Sequence, residues 1–270
     1  MFTRIISAVI AIAVLIAVMQ FNAIVITVCA VALALWCLIE AYSVFSYHKN
    51  VVFMAIGCVA CLGMPFYCLW SVQQVIGFGF ILFLLMAIAM VFRPKKIGFC
   101  DLANMSLLTT LIPVSFALLI GLRKQPEIGH LYVWLCCIGA FCTDTGAYFV
   151  GIALKGPKLC PDLSPKKTIS GCVGGFLGAL LGFFVFAMIL KYGYHISVKA
   201  VTYYPLALLC GLVAQLGDLT ASSIKRSRNV KDFGNVMPGH GGFLDRVDSL
   251  MFVGPVVYIY IITFGLQVIL

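Results

Sequence analysis

A chain of 270 residues that is 63% hydrophobic and only 10% charged, with a mean hydropathy of +1.12, lies outside the range of soluble globular domains. Its net charge of +9, from 18 Lys and Arg against 9 Asp and Glu, points on so apolar a chain to anionic lipid rather than nucleic acid as partner. A multi-pass membrane protein remains, and it is all-α. Apolar runs of seventeen to twenty-five residues recur along the sequence, each long enough to cross roughly 30 Å of hydrocarbon as a helix, and the ten-residue alternating strands of a barrel are absent.

In chain order, Arg4 and the apolar residues after it resemble a signal peptide, but further spans follow and no small-residue cleavage site is evident, so they read as a retained first helix. Nine spans are predicted in all, near 4–20, 23–46, 51–70, 74–92, 104–122, 131–153, 171–190, 203–220 and 249–269. The first two are joined by a tight turn around Gln20 and Asn22. Residues 1–122 therefore form an N-terminal region of five spans, and 123–270 a C-terminal region of four spans with two polar loops, where any site would lie. Glu40 lies within the second span with no motif around it, as a structural hydrogen-bonding partner or a step on an ion path. Nearly all twelve cysteines, including Cys58, Cys61, Cys136, Cys137 and Cys210, fall inside apolar runs and read as buried thiols rather than a disulfide framework.

Fourteen of the 18 basic residues fall on alternate loops of one side, which the bias of Lys and Arg makes cytoplasmic. The N-terminus is then cytoplasmic too, and the two most basic loops, 154–170 and 221–248, share that face. Acids inside spans cost about 2.5 to 3.5 kcal/mol at a helix centre on insertion scales, so Asp144 in the sixth span and Asp218 near the end of the eighth call for a function or a partner. The first loop carries Ser164-Pro-Lys-Lys-Thr168, with Lys166 and Lys167 as candidate phosphate contacts and Thr168 at the entry to the seventh helix. Glycines 171, 175, 178 and 182 fall on one face of that helix and read as a surface for close helix packing.

The second loop concentrates eight of the 27 charged residues between Ser222 and Asp248. Asp245 and Asp248, at i and i+3, would share one face of a helix, as Mg²⁺ ligands or as a solvated helix start. Gly239, Gly241 and Gly242 around His240 would bring backbone N–H groups close to an anion, or simply turn the chain. Lys225, Arg226, Arg228 and Lys231 suit lipid headgroups, the reading preferred for Arg228. Clustered cations, a glycine nest and paired carboxylates together fit a polyphosphate with its metal.

These residues carry a resemblance. Ser222-x-Ile-Lys-Arg226, Lys231-Asp232-x-Gly234 and Pro238-x-His-Gly-Gly-Phe-x-Asp-Arg-Val-Asp248 look like the diagnostic motif of the phosphatidate cytidylyltransferases, or CDP-diacylglycerol synthases. SPKKT before a glycine-rich helix and Asp144-x-x-Ala-Tyr-x-x-Gly151 are similar to the family's other two markers, in the family's order. The likeness is strong over about 130–270. Two positions depart from the pattern: Ile169-Ser170 stands where Trp-Glu often follows the lysines and threonine, so no role for an acid carries over there, and Met237 replaces a usual Leu or Ile. The resemblance implies CTP + phosphatidate → CDP-diacylglycerol + pyrophosphate at the cytoplasmic face of the cell membrane, with Mg²⁺ or another divalent cation. It implies metal ligation by Asp245, Asp248 and Asp218. Triphosphate contact falls to Lys225, Arg226 and Arg246 with the nest of His240, Gly241 and Gly242. Lys166 and Lys167 would hold the lipid or the nucleotide phosphate, and Ser222, Lys231, Asp232 and Asp144 complete the expected site. No nucleic acid partner is implied, and a homodimer is left open. The competing readings are a CTP-dependent polyprenol kinase and a transporter using Asp144 and Glu40.

Overall fold

The computed structural model describes residues 13–67, 69–92, 98–126, 128–236, 241–265 and 268–269. Residues 13–19 are helical (α1), followed by α2 (Ala23–Val44), a 3-10 turn (Tyr47–Lys49), α3 (Val51–Tyr67), α4 (Val72–Val91) and α5 (Phe99–Arg123). Then come α6 (Gly129–Leu154), the ribbon strands β1 (Lys158–Cys160) and β2 (Ser164–Thr168), α7 (Ile169–Gly193), α8 (Ala200–Ser227) and α9 (Leu244–Phe264). A minor pair, Ser197–Val198 (β3) with Val268–Ile269 (β4), is antiparallel.

Seven of these helices, α2 and α4 to α9, are long and apolar enough to cross a membrane. The third expected span, 51–70, is α3, which at 17 residues falls short of that length. Of the first, residues 4–12 lie outside the described residues. The turn expected at Gln20 and Asn22 is present: Asn22 Oδ1 accepts from the Val25 amide at 3.0 Å and starts α2. Ser71 and Gln74 form a capping box at α4, with the Ser71 amide donating to Gln74 Oε1 at 2.8 Å. Asp101 reaches back to the Gly98 amide at 3.0 Å to start α5. Apolar composition alone does not place these starts; short polar caps do.

The chain divides into two compact units. The first comprises the described residues of 1–124 together with 228–246, a segment separated from the rest of its unit by more than a hundred residues. Its core is built on α5, where Leu108, Ile112, Phe116 and Ile120 recur at helical spacing and are all buried. Tyr42 of α2 is fully buried against it and its hydroxyl meets Thr109 Oγ1. By contrast α4 buries little beyond Leu82 and Met86 and exposes Ile76, Phe80 and Phe83, as a lipid-facing helix does.

The second unit comprises 125–227 and the described residues from 247 onward, the division falling within α9. Its closest packing is α6 on α7, and glycines make it possible. A Cβ at Gly174 would overlap Val150, one at Gly178 the Cys142 carbonyl, and one at Gly146 the Gly174 carbonyl. The helices meet through Gly171, Gly174, Gly178 and Gly182, whereas Gly175 faces Gln215 and Thr143. The expected small-residue face is thus real, with Gly174 joining it and Gly175 packed against Thr143 of α6 as well as Gln215 of α8.

Eleven described cysteines are free thiols; Cys61, Cys136, Cys137 and Cys210 are buried and Cys58 only partly so.

Candidate active site

In the second unit the first polar loop is not irregular but forms the β1–β2 ribbon, antiparallel with Lys158 opposite Thr168 and Cys160 opposite Ser164. Thr168 ends β2 and caps α7, its Oγ1 accepting from the Gly171 amide at 3.0 Å. Ser170 Oγ donates to the Lys155 carbonyl at the end of α6, which ties the ribbon to both helices. Alternation along β2 separates the two lysines: Lys166 is exposed, and Lys167 is half-buried with its Nζ 2.6 Å from Asp218 Oδ2.

Asp218 lies on α8 with Ser222 and Lys225 at i+4 and i+7, so the three share one face. Ser222 and Lys225 are both buried. Arg226, one residue on, is exposed, with its Nε 3.4 Å from the Leu163 carbonyl in the ribbon's turn. α8 and α9 approach closely beside Asp218: a Cβ at Gly217 would lie 3.0 Å from the Asp248 carbonyl oxygen. Asp248 is buried and sits within electrostatic reach of Asp218, Asp144 and Lys225. Its Oδ1 accepts from the Ser249 amide at 2.8 Å. Asp144 joins the group through Ser249, whose hydroxyl donates to Asp144 Oδ2 at 3.1 Å. Three carboxylates and two lysines from α6, β2, α8 and α9 therefore lie together. Nothing in the sequence marked Ser249 apart from its place after Asp248.

In the first unit the segment 228–246 packs on the N-terminal helices. Arg228 stacks on the Phe45 ring, 4.6 Å from its centroid, and its Nη2 is 3.8 Å from Asp101 Oδ1. Asp101 Oδ1 also accepts from the Tyr47 hydroxyl at 2.8 Å; burial, and then this bond, push the Tyr47 phenol well up, so it stays a donor. Lys231 and Asp232 are exposed, and Phe233 is buried. Asp245 organises the loop: its Oδ2 accepts from the Phe233 amide at 2.8 Å and the Gly242 amide at 3.0 Å. Gly241 has φ +81, which only glycine adopts without strain, and a Cβ there would crowd Asp232 and Asp245. Glu40 accepts from the amides of Phe243 at 3.0 Å and Leu244 at 2.8 Å. Arg246 is exposed on the first turn of α9. His240, with Pro238 and Gly239, lies outside the described residues.

Asp245 and Asp248 are one turn apart on α9, as their spacing predicted, and both are buried. Among the described residues no three His, Cys, Asp or Glu side chains are grouped to hold a metal ion. The donor chemistry nonetheless suits a hard cation, because Mg²⁺ takes carboxylate oxygens and typically only one or two of them alongside substrate phosphates. The carboxylates of Asp218 and Asp248, with basic side chains beside them, offer such a pair.

Helices long and apolar enough to cross a membrane, with acids and lysines gathered around α8, define a chain with the character of a multi-pass membrane protein. More specifically, the chain belongs to the Cytidylyltransferase family, whose model matches residues 2–264. It is 37% identical over 174 residues to the phosphatidate cytidylyltransferase of Bacillus subtilis (strain 168), covering 64% of this chain and 61% of that protein. To the phosphatidate cytidylyltransferase of Thermotoga maritima it is 35% identical over 150 residues, 55% of this chain and 56% of the relative. To that of Brucella suis biovar 1 it is 40% identical over 141 residues, 52% and 50%. The matched region thus spans about half to three fifths of the length of these relatives.

Proposed function

We propose that this protein is a phosphatidate cytidylyltransferase, joining CTP and phosphatidate to give CDP-diacylglycerol and pyrophosphate. The observation that carries the reading is the cluster of Asp144, Asp218 and Asp248 with Lys167 and Lys225, built from the stretches that resemble the family's three markers. Relatives named for this activity match 64% and 55% of this chain.

The phosphatidate phosphate is already an anionic nucleophile at neutral pH, so no general base is required. One of its oxygens bonds to the α-phosphorus of CTP, the bond from that phosphorus to the α,β-bridging oxygen breaks, and pyrophosphate leaves with the bridging oxygen. Bringing two anions into line is the main barrier, and positioning with charge neutralisation lowers it. In the second unit Lys225 and Arg226 would contact the triphosphate; in the first, Arg246 and the nest of Gly241, Gly242 and His240 offer phosphate contacts of their own. Lys231 and Asp232 would add to the first set and Ser222 to the second, and Lys166 and Lys167 would take a substrate phosphate. Lys167 is already paired with Asp218, so an arriving phosphate would compete with that carboxylate for it. A divalent cation held by Asp218 and Asp248 would supply further neutralisation of the triphosphate.

The reading places nine spans in the cytoplasmic membrane, with the N-terminus and the motif loops on the cytoplasmic side, supported by the 14 of 18 basic residues on one set of loops. Purified protein given Mg²⁺, phosphatidate, a polyprenol and CTP labelled at the α or the γ phosphate is expected to move only the α label into lipid. Transfer of the γ label to a polyprenol would establish a kinase instead. No transfer of either label by folded protein would overturn both enzyme readings.

A further inference from the structure

We infer that Glu40, in α2, is the positioning residue of the motif loop, holding the N-terminal end of α9 from a point in the chain about two hundred residues earlier. Its carboxylate accepts from two consecutive amides, Phe243 N to Oε1 at 3.0 Å and Leu244 N to Oε2 at 2.8 Å. The Leu244 amide opens α9 and the Phe243 amide immediately precedes it, where N–H groups lack intrahelical partners and the helix dipole favours an anion. Such a carboxylate usually comes from a capping residue of the same helix. Here it comes from another helix.

Three further observations fix Glu40 to this loop. It is buried, at 5% exposure, in a helix apolar enough to cross a membrane, where an acid without partners is costly. Both Gly234 and Gly242 are shaped to it: a Cβ at Gly234 would lie 2.7 Å from Oε1, a Cβ at Gly242 would overlap Oε2, and at each glycine the three nearest atoms all belong to Glu40. One turn earlier on α2, Trp36 packs edge-on against Phe243, with ring centroids 6.1 Å apart. Asp245 holds the amides of Phe233 and Gly242 in the same loop, so two carboxylates fix four of its backbone N–H groups. Removing Glu40 leaves the Phe243 and Leu244 amides to be satisfied otherwise and frees Gly241, Gly242 and Arg246 to drift.

The kinetic half of the inference rests on the cytidylyltransferase reading; the structural half does not. The experiment compares wild type, Glu40→Gln, Glu40→Ala, Gly242→Ala and the double variant Glu40→Ala/Gly242→Ala in detergent, by turnover and by amide hydrogen exchange. Glu40→Gln keeps one acceptor oxygen and is nearly isosteric, so it guards against simple misfolding. We expect kcat to fall at least tenfold in Glu40→Gln and further in Glu40→Ala, with the KM for phosphatidate within about twofold of wild type. The peptide 241–246 should exchange faster while α7 keeps its protection. Gly242→Ala should be as damaging as Glu40→Ala, and the double variant no worse than either, because the added methyl then meets no carboxylate. Unchanged exchange across 241–246 in Glu40→Ala, or turnover falling only in proportion to lost folded protein, would overturn the assignment. An inactive wild type with the predicted exchange pattern would refute the enzymatic reading and leave the positioning contact standing.

Discussion

Asp248 is where burial and charge meet most sharply, since its carboxylate is withdrawn from water yet lies within reach of two other acids and of Lys225. Such a group is stable only beside positive charge, and a substrate with its cation would supply more of it. Asp248→Asn keeps the shape and removes the charge, so turnover is expected to vanish at any practical Mg²⁺ concentration while the protein still inserts and elutes as wild type. Near-normal activity would take Asp248 out of the site. Arg228 makes the contrasting case. Its stacking on Phe45 and its 3.8 Å approach to Asp101 are partly exposed, worth about 1 kcal/mol together. Arg228→Ala should therefore lower the melting temperature slightly and leave turnover within a few-fold. The sequence singled out both residues, but assigned Arg228 to lipid headgroups; its partners, Phe45 and Asp101, stand more than a hundred residues away, where no local pattern could reveal them.

At the level of elements, the α6–α7 contact is the least forgiving part of the fold. Its obstacles are backbone atoms, which cannot rotate aside. Gly178→Leu drives a side chain into the Cys142 carbonyl, and overpacking of this kind costs about 1 to 3 kcal/mol or more. Yield and melting temperature should both fall. Gly77 and Gly79 of α4 have nothing within 4 Å of an added Cβ, so alanine there should be neutral or stabilising by up to about 1 kcal/mol through helix propensity. Hydropathy located α4 to α7 to within a few residues, because lipid-crossing length is written in apolar runs. It stopped α8 at 220, whereas the helix continues to Ser227 and carries Ser222 and Lys225 on that extension. It likewise began the last span at 249, five residues after α9 starts at Leu244. Polar turns at the ends of spanning helices are invisible to an apolar window, and those turns hold the candidate site.

For the molecule as a whole, sidedness is the property on which the functional reading depends, because CTP is soluble and the charges of the two motif loops must meet it. Single cysteines placed at positions 166 and 240 are expected to react with an impermeant thiol reagent only after the cells are opened, and one at 270 in intact cells. Reaction of position 240 from outside would remove the cytoplasmic site. The N-terminal helices carry none of the three sequence markers, yet they hold part of the motif loop. Asp101 and Glu40 take hold of residues 228 to 246, and neither acid stood in a motif that could have announced this.

That the first unit is completed by residues 228–246 also bears on how the protein is made. A ribosome must translate nearly all of the second unit before the loop that satisfies Glu40 emerges, so during synthesis α2 waits with a carboxylate lacking those partners. Any nascent chain that stalls before residue 243 carries that acid in an otherwise apolar helix without the two amides that hold it in the finished protein.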